Sequence, residues 1–272
     1  MEKLTKIEHL ESISAETRMR YLKKVDSLRF KYMRLIEGRT GDVRYDVHIG
    51  GGEHRAGGVH ASEVGGCLRA LTYAISSTER IPGKSNCNML MRFAVGHALH
   101  SMLQHDFHTM CKEDDEIGFE DEVNIDPSIG GPAGTWNIHS HCDGVFTFFE
   151  KGEPYLRVGL EIKTASDKDY SVTNEPKTKH REQTCVYMSC LDLPLMWVLY
   201  YNKSNSNFTG PHAPWLYKFD AHLWRKLEKR MSSATIHSIR ESLPARDEGF
   251  ECSWCPFSWT CDPMRLRRVH AR

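Results

Sequence analysis

Asp143, Glu161 and Lys163 are the residues whose types and spacing could do chemistry together. The run Leu156-Arg157-Val158-Gly159-Leu160-Glu161-Ile162-Lys163 alternates, and an extended strand sends Leu156, Val158, Leu160 and Ile162 to one face and Gly159, Glu161 and Lys163 to the other. A carboxylate and an ammonium then emerge side by side. Residues 138–149 read as a strand, residues 156–164 as its partner, and Glu150-Lys151-Gly152-Glu153-Pro154 as the turn between them. A hairpin closing symmetrically about Gly152 sets Asp143 opposite Glu161. Two carboxylates so placed repel unless a cation lies between them. Hard oxygen donors suit Mg²⁺ or Mn²⁺, which keep water positions open. Lys163 is then placed to orient or deprotonate a metal-bound water, or to stabilise charge building on a phosphate, so the chemistry is phosphodiester hydrolysis. Taken singly, an exposed Asp, or a Glu and a Lys two apart on a strand, is usually a solvated face; the cross-strand pairing is what distinguishes this set.

Four cysteines make a second constellation. Cys252, Cys255 and Cys261 follow one another as C-x2-C-x5-C near the end of the sequence, and Cys67 stands alone near its start. Such a set can hold zinc or an iron–sulfur cluster. Cys87, Cys111, Cys142, Cys185 and Cys190 lack that spacing and read as small core residues. The tail also carries Trp254, Phe257 and Trp259, then Arg265, Arg267 and Arg268. Arginines beside rings suit single-stranded nucleic acid, although rings near a metal centre are at least as often its packing shell.

The elements that must position these residues follow from hydrophobic periodicity. Leu4, Ile7, Leu10 and then Met19, Leu22, Val25 and Leu28 predict two amphipathic helices before residue 40. The Gly-rich segment around Gly50-Gly51-Gly52 marks a boundary near residue 50, which divides the chain into a helical extension, 1–50, and a main domain, 51–272. Ser62 is placed to N-cap a helix running through Cys67 to about Ile75. A helix over 88–110 has an apolar stripe of Val95, Leu99, Met102, Leu103 and Phe107, with Gly96, His100 and Gln104 on another face. Beyond the hairpin come a helix at 178–190, strands at Leu195–Tyr201 and Trp215–Phe219, and a long helix from Asp220 to about Glu241 with Leu223, Leu227, Met231 and Ile236 along one side. This alternation predicts an α/β sandwich around a mixed sheet.

Composition narrows the class. Of 272 residues, 40% are hydrophobic and 26% charged, as expected of a folded soluble protein with one sizeable core. Lys plus Arg number 36, as do Asp plus Glu, so affinity for nucleic acid must come from a local basic surface or bound cations. Nine cysteines, an odd number, are no disulfide framework, and MEKLTKIEHL lacks an apolar signal core; the reducing cytoplasm is the expected compartment. The apolar run LDLPLMWVLYY is about half the ~20 residues needed to cross a bilayer, so no membrane association is expected.

Taken in order, the solitary cysteine in SEVGGCLRALTYAI, GHALH, HCDGVF, GLEIKTAS, QTCVY and the terminal C-x2-C-x5-C resemble the PD-(D/E)XK nucleases of the RecB and AddB type. The resemblance is to the compact iron–sulfur branch that includes the CRISPR-associated exonucleases and related phage proteins, and it covers residues from about 60 to 263. It implies a restriction-endonuclease-like fold with a C-terminal iron–sulfur staple. It implies His100, Asp143, Glu161 and the Ile162 carbonyl as metal ligands and Lys163 as the catalytic lysine, with Gln183 and Tyr187 beside that lysine and near DNA. His139 and His141, which share the Asp143 face, are rivals to His100. An imidazole ligand would shift preference toward Mn²⁺. The resemblance also makes Cys67, Cys252, Cys255 and Cys261 the ligands of a [4Fe–4S] cluster, with structural Zn²⁺ on the same thiolates as the alternative. Ser140 departs from the Gly that the family often has before the metal-binding Asp. The activity implied is a metal-dependent DNA exonuclease acting on single strands or free ends in recombination, repair or phage replication, alongside recombination or replication proteins. Trimming of CRISPR spacer precursors, a non-catalytic DNA-binding module on the same fold, and a redox protein built on the cluster are the rival readings.

Overall fold

The computed structural model describes residues 14–38, 58–81, 87–125, 128–131, 134–171, 175–204, 215–247, 252 and 254–261. Its elements are α1 (Ala15–Glu37), α2 (Ala61–Val64), α3 (Leu68–Ile75), α4 (Cys87–Lys112), β1 (Ile117–Asn124), β2 (Ser128–Gly131), β3 (Gly134–Asn137), β4 (His141–Glu150), β5 (Glu153–Ala165), α5 (Asp167–Ser171), α6 (Thr178–Leu191), β6 (Leu195–Asn202), β7 (Trp215–Lys218), α7 (Ala221–Ile239) and α8 (Ser258–Cys261). Five strands form one sheet in the order β1-β4-β5-β6-β7, and β2 pairs with β3 in a separate ribbon. β5 and β6 run parallel while the other neighbours run antiparallel, so the sheet is mixed, as expected.

Helices cover both faces. The even-numbered residues of β5 pack with Val25, Leu28 and Tyr32 of α1 and with Leu103, Phe107 and Met110 of α4. Val145 and Met196 face the opposite layer, with Val186 and Tyr187 of α6 and Trp224, Leu227 and Met231 of α7. β6, lying between two strands and two helical layers, is buried along its whole length, which is why its sequence reads as a continuous apolar run. Phe107 anchors α4: its ring meets those of Tyr32, Phe119, Phe146 and Trp197 at centroid separations of 5.3, 5.5, 5.2 and 6.0 Å.

Several expectations need correction. The first predicted helix and the residue-50 boundary lie outside the described residues; α1 is the second. The helix through Cys67 is two helices, with His60 rather than Ser62 at the first N-cap and Cys67 at the second. Gly65 and Gly66 break it, and a Cβ on Gly65 would stand 2.0 Å from Glu182 Oε2, so the chain must turn there beside α6. The turn of the hairpin is only Lys151-Gly152, at φ 55° and 84°, the pair of left-handed residues that a tight hairpin needs. A bulge between Phe148 and Phe149 then shifts the register by one residue, and the ladder runs to Gly144 with Leu160. That register continued by one residue sets Asp143 opposite Glu161, its side chain bonded to the next amide, of Ile162. β1, IGFEDEVN, is an addition that alternation did not reveal, because three consecutive acidic residues at this sheet edge face solvent. On α7 the buried stripe is Trp224, Leu227, Met231 and Ala234, with Ile236 exposed; Cys87 is exposed rather than a core residue.

Phe107→Ala should cost about 3–5 kcal/mol in urea unfolding, because four rings lose their common partner and a cavity remains. Unchanged stability would show that α4 is held by something other than this cluster.

Candidate active site

Asp143 is the third residue of β4, and its two oxygens have separate partners. Oδ2 accepts a hydrogen bond from the Ile162 backbone amide at 2.6 Å, and Oδ1 lies 3.4 Å from His100 Nδ1. The imidazole brought to the carboxylate is thus that of His100. His139 and His141 are exposed, the former lying against Gly58. Burial alone would lower the His100 pKa, but the charge and hydrogen bond of Asp143, with Glu161 behind it, raise it above the ordinary histidine value.

Glu161 is 2% exposed. One carboxylate oxygen pairs with Lys163 Nζ; the other, Oε2, is buried with no hydrogen-bond partner among the described residues. Burial first and the Asp143 charge second push its pKa up to about 7, against the opposing pull of Lys163 and His100. Lys163 Nζ also donates to Gln183 Oε1 at 3.3 Å, and Gln183 Nε2 donates to the Tyr187 hydroxyl at 2.7 Å. Gln183 and Tyr187 lie at i and i+4 on α6 and are buried, not solvent-facing polar residues. Burial and the Glu161 charge hold the Tyr187 hydroxyl well above the usual phenol range, so it keeps its proton.

Two further groups complete the surroundings. Gln104, one turn beyond His100 on α4, donates to the Asp143 carbonyl at 2.9 Å and to Glu122 Oε1 at 2.7 Å. Glu122 holds a left-handed φ of 46° on β1, a strained conformation for a residue with a side chain. Its place in the sequence gave no signal, whereas Gln104 shared a helical face with His100. Across the parallel β5–β6 ladder Tyr200 neighbours Lys163, and its hydroxyl meets His180 Nδ1 at 2.5 Å. Burial, then the charge of Lys163, pushes the His180 pKa down to about 3, so this imidazole adds no positive charge. Ser140, the departure from the family pattern, accepts from the Ala61 amide at 2.9 Å and so ties α2 to the approach of β4.

Among the described residues, no group of three or more His, Cys, Asp and Glu side chains is arranged to hold a metal ion. His100 is turned onto Asp143 and Lys163 onto Glu161, so the donors engage one another. Asp143 and Glu161 nevertheless suit a hard divalent cation: the Asp143 charge raises the cost of charging Glu161, and Glu161 Oε2 lacks, among the described residues, the partner that a buried oxygen requires.

The cysteines occupy a second region. Cys67 caps α3 in an extended conformation, and the tail docks beside that helix. The Ile81 amide donates to the Pro256 carbonyl at 3.0 Å, Trp259 Nε1 to Glu79 at 3.3 Å, and Phe257 is buried against Tyr73 with Arg80 above its ring. Arg69 reaches both the Pro244 carbonyl and, at 3.9 Å, Cys261 Sγ. Burial, with the charges of Cys67, Cys261 and Cys252 adding to it, raises the Cys255 pKa, but the four thiols do not form a metal-holding group among the described residues. Trp254 is 52% exposed, and the tail arginines lie outside the described residues.

No protein-family model and no curated protein matches the chain. Solved structures that overlay on it include SSO0001, with a TM-score of 0.45, 16% identity and coverage of 87% of this chain and 96% of that one. LHK-Exo in complex with dAMP overlays with a TM-score of 0.45, 17% identity and coverage of 69% and 90%. The alkaline exonuclease LHK-Exo from Laribacter hongkongensis gives 0.40, 15%, and the same coverage of 69% and 90%. No helix of the described residues is long and apolar enough to cross a membrane.

The Glu161 environment predicts a pH dependence of stability. Its folded pKa of about 7 lies above the ordinary 4.5, so the stability it contributes is fully present below pH 4.5 and is lost as pH rises through 7. Metal-free protein should therefore lose stability between pH 5 and pH 8, and Glu161→Gln should lose less across the same interval. Equal pH slopes in thermal melts of the two proteins would show that Glu161 is not held in this state.

Proposed function

We propose that this protein is a metal-dependent DNA exonuclease of the PD-(D/E)XK class. The observation that carries the reading is the placement of Glu161, a fully buried carboxylate with one oxygen orphaned among the described residues, across a hairpin from Asp143 and in contact with Lys163. A structural carboxylate has no reason to sit beside a second one at the cost of its own ionisation, and a binding module needs only basic groups. Asp143, Glu161, the Ile162 carbonyl and His100 would hold Mg²⁺ or Mn²⁺, which when bound supplies Lewis acidity and a water of lowered pKa. Lys163 would orient the attacking water or stabilise charge on the phosphate, and the Gln183 side chain holds its ammonium within reach. Gln183 is itself fixed by the Tyr187 hydroxyl, whose raised pKa keeps it a neutral partner across the working pH range. Gln104 fixes the Asp143 backbone from α4, so the two carboxylates are positioned from different layers of the fold.

Cys67, Cys252, Cys255 and Cys261 would hold a [4Fe–4S] cluster, with Zn²⁺ as the alternative on the same thiolates. Their part is structural, closing the tail onto α3 across most of the chain. Action from ends is favoured by the motif order of the iron–sulfur exonucleases, and by a single acidic centre per chain among the described residues. Paired cutting of both strands would need a dimer.

With Mn²⁺, linear DNA should be shortened progressively from its termini while closed circular single strands persist, and Lys163→Ala should be inert. Equal consumption of both substrates by protein whose Lys163→Ala control is inert would instead identify a nicking enzyme. Anaerobically purified protein should contain iron and acid-labile sulfide, and Cys67→Ser should lose both together; stoichiometric zinc without sulfide would overturn the cluster and leave the nuclease reading standing.

A further inference from the structure

An open depression of about 620 Å³ runs along α7 beside Leu68 at the start of α3, and Asp143, Glu161 and Lys163 do not line it. It is lined by His222, Arg225, Lys226, Lys229 and Arg230 with Leu68 and Ser233, and no acidic side chain is among the described residues that line it. In a chain whose 36 basic and 36 acidic residues cancel, this is a strong local concentration of one sign. It is also unfavourable for the helix that bears it. Arg225 with Lys229, and Lys226 with Arg230, are like charges four residues apart on one helical face, a destabilising arrangement.

Part of that cost is met within the fold. Arg230 donates to the Val64 carbonyl at 3.3 Å and to the Gly66 carbonyl, and so forms one wall by holding the α2–α3 corner. Lys226 and Arg230 also face Glu182, where they counter the rise in pKa that its burial causes. Arg225 and Lys229 are exposed on the same concave surface. An open site lined by several long cationic side chains, with the buried Glu182 countering only Lys226 and Arg230, suits a ligand bearing several separate anionic groups along its length. The position of α6 indicates which ligand that is. Gln183 reaches Lys163, while the adjacent Glu182 faces Lys226 and Arg230, so the depression lies on the other side of the same helix from the acidic centre.

We infer that this depression holds the phosphodiester backbone of the DNA strand away from the point of cleavage. The identity of the polyanion rests on the nuclease reading; the binding site itself does not. Contacts to phosphates position a strand without reading its sequence, and they make affinity fall with salt in proportion to the phosphates engaged.

The test is fluorescence anisotropy of a labelled single strand of about 20 nucleotides in EDTA, with the full-length Lys163→Ala protein as the non-cutting parent. Arg225→Glu/Lys229→Glu is introduced on that parent and compared with a charge-matched control, Lys112→Glu/Lys151→Glu, on exposed residues elsewhere. The α7 variant should bind about tenfold more weakly at 0.1 M salt, with a log–log salt slope smaller by about 1.4, two contacts at ~0.7 each. The control should keep the parent's affinity and slope, and all three proteins should share one urea midpoint. Equal binding by the α7 variant and its parent overturns the inference even if the wild type cuts DNA. Equal loss in the control overturns it too, since bulk charge would then be the cause. The expected loss confined to the α7 variant supports the site even if the wild type cuts nothing, in which case the nuclease reading alone falls.

Discussion

Glu161 is a carboxylate placed where a carboxylate is costly. It is buried in the middle of a sheet sandwich, opposite Asp143, and one of its oxygens lacks a partner among the described residues. Among the described residues the Lys163 ammonium, and after it His100, offset it. Everything around the site is arranged to keep these groups from moving apart. β4 and β5 lie at the centre of the sheet between β1 and β6, so neither carboxylate can relax toward an open edge. The Ile162 amide restrains the Asp143 side chain, and Gln104 restrains its backbone. The strain at Glu122 on the neighbouring strand belongs to the same arrangement, since its carboxylate shares the Gln104 amide.

The two helical layers contribute differently. α4, clamped by the aromatic cluster around Phe107, presents His100 and Gln104 to the Asp143 side of the pair. α6, from the opposite layer, presents Gln183 and Tyr187 to the Lys163 side. The docking of the cysteine tail on α3 stabilises a corner that Arg230 of α7 also holds. The basic depression and the cysteine tail therefore both adjoin α3.

Much of this was legible in sequence because alternation is a local property. The faces of β5 follow from LRVGLEIK alone, and the register follows from the separation of Asp143 and Glu161, although a two-residue turn and a bulge, rather than a symmetric loop, produce it. What was not legible depends on neighbours distant in the chain. The motif resemblance alone sets Gln183 and Tyr187 beside Lys163; their helical spacing gives no sign that β5 packs beneath α6 and buries them. β1 looks like a charged loop because its acidic residues lie at a sheet edge. The break before Cys67 is decided by Glu182, more than a hundred residues away, which leaves no room for a Cβ on Gly65. The basic face of α7 was visible as a list of residues but not as a depression, which exists only once the start of α3 lies beside it.

The central claim is that Asp143 and Glu161 are kept together for a divalent cation. It is tested most directly by Mn²⁺ titration at pH 8, following loss of the six-line electron paramagnetic resonance signal of the free ion. The wild type should bind Mn²⁺ saturably, Lys163→Ala should bind at least as well because the competing ammonium is gone, and Glu161→Gln and Asp143→Asn should each bind at least tenfold more weakly. Saturable binding in Glu161→Gln equal to that of the wild type would contradict the account, since the buried carboxylate would then have no part in holding the ion.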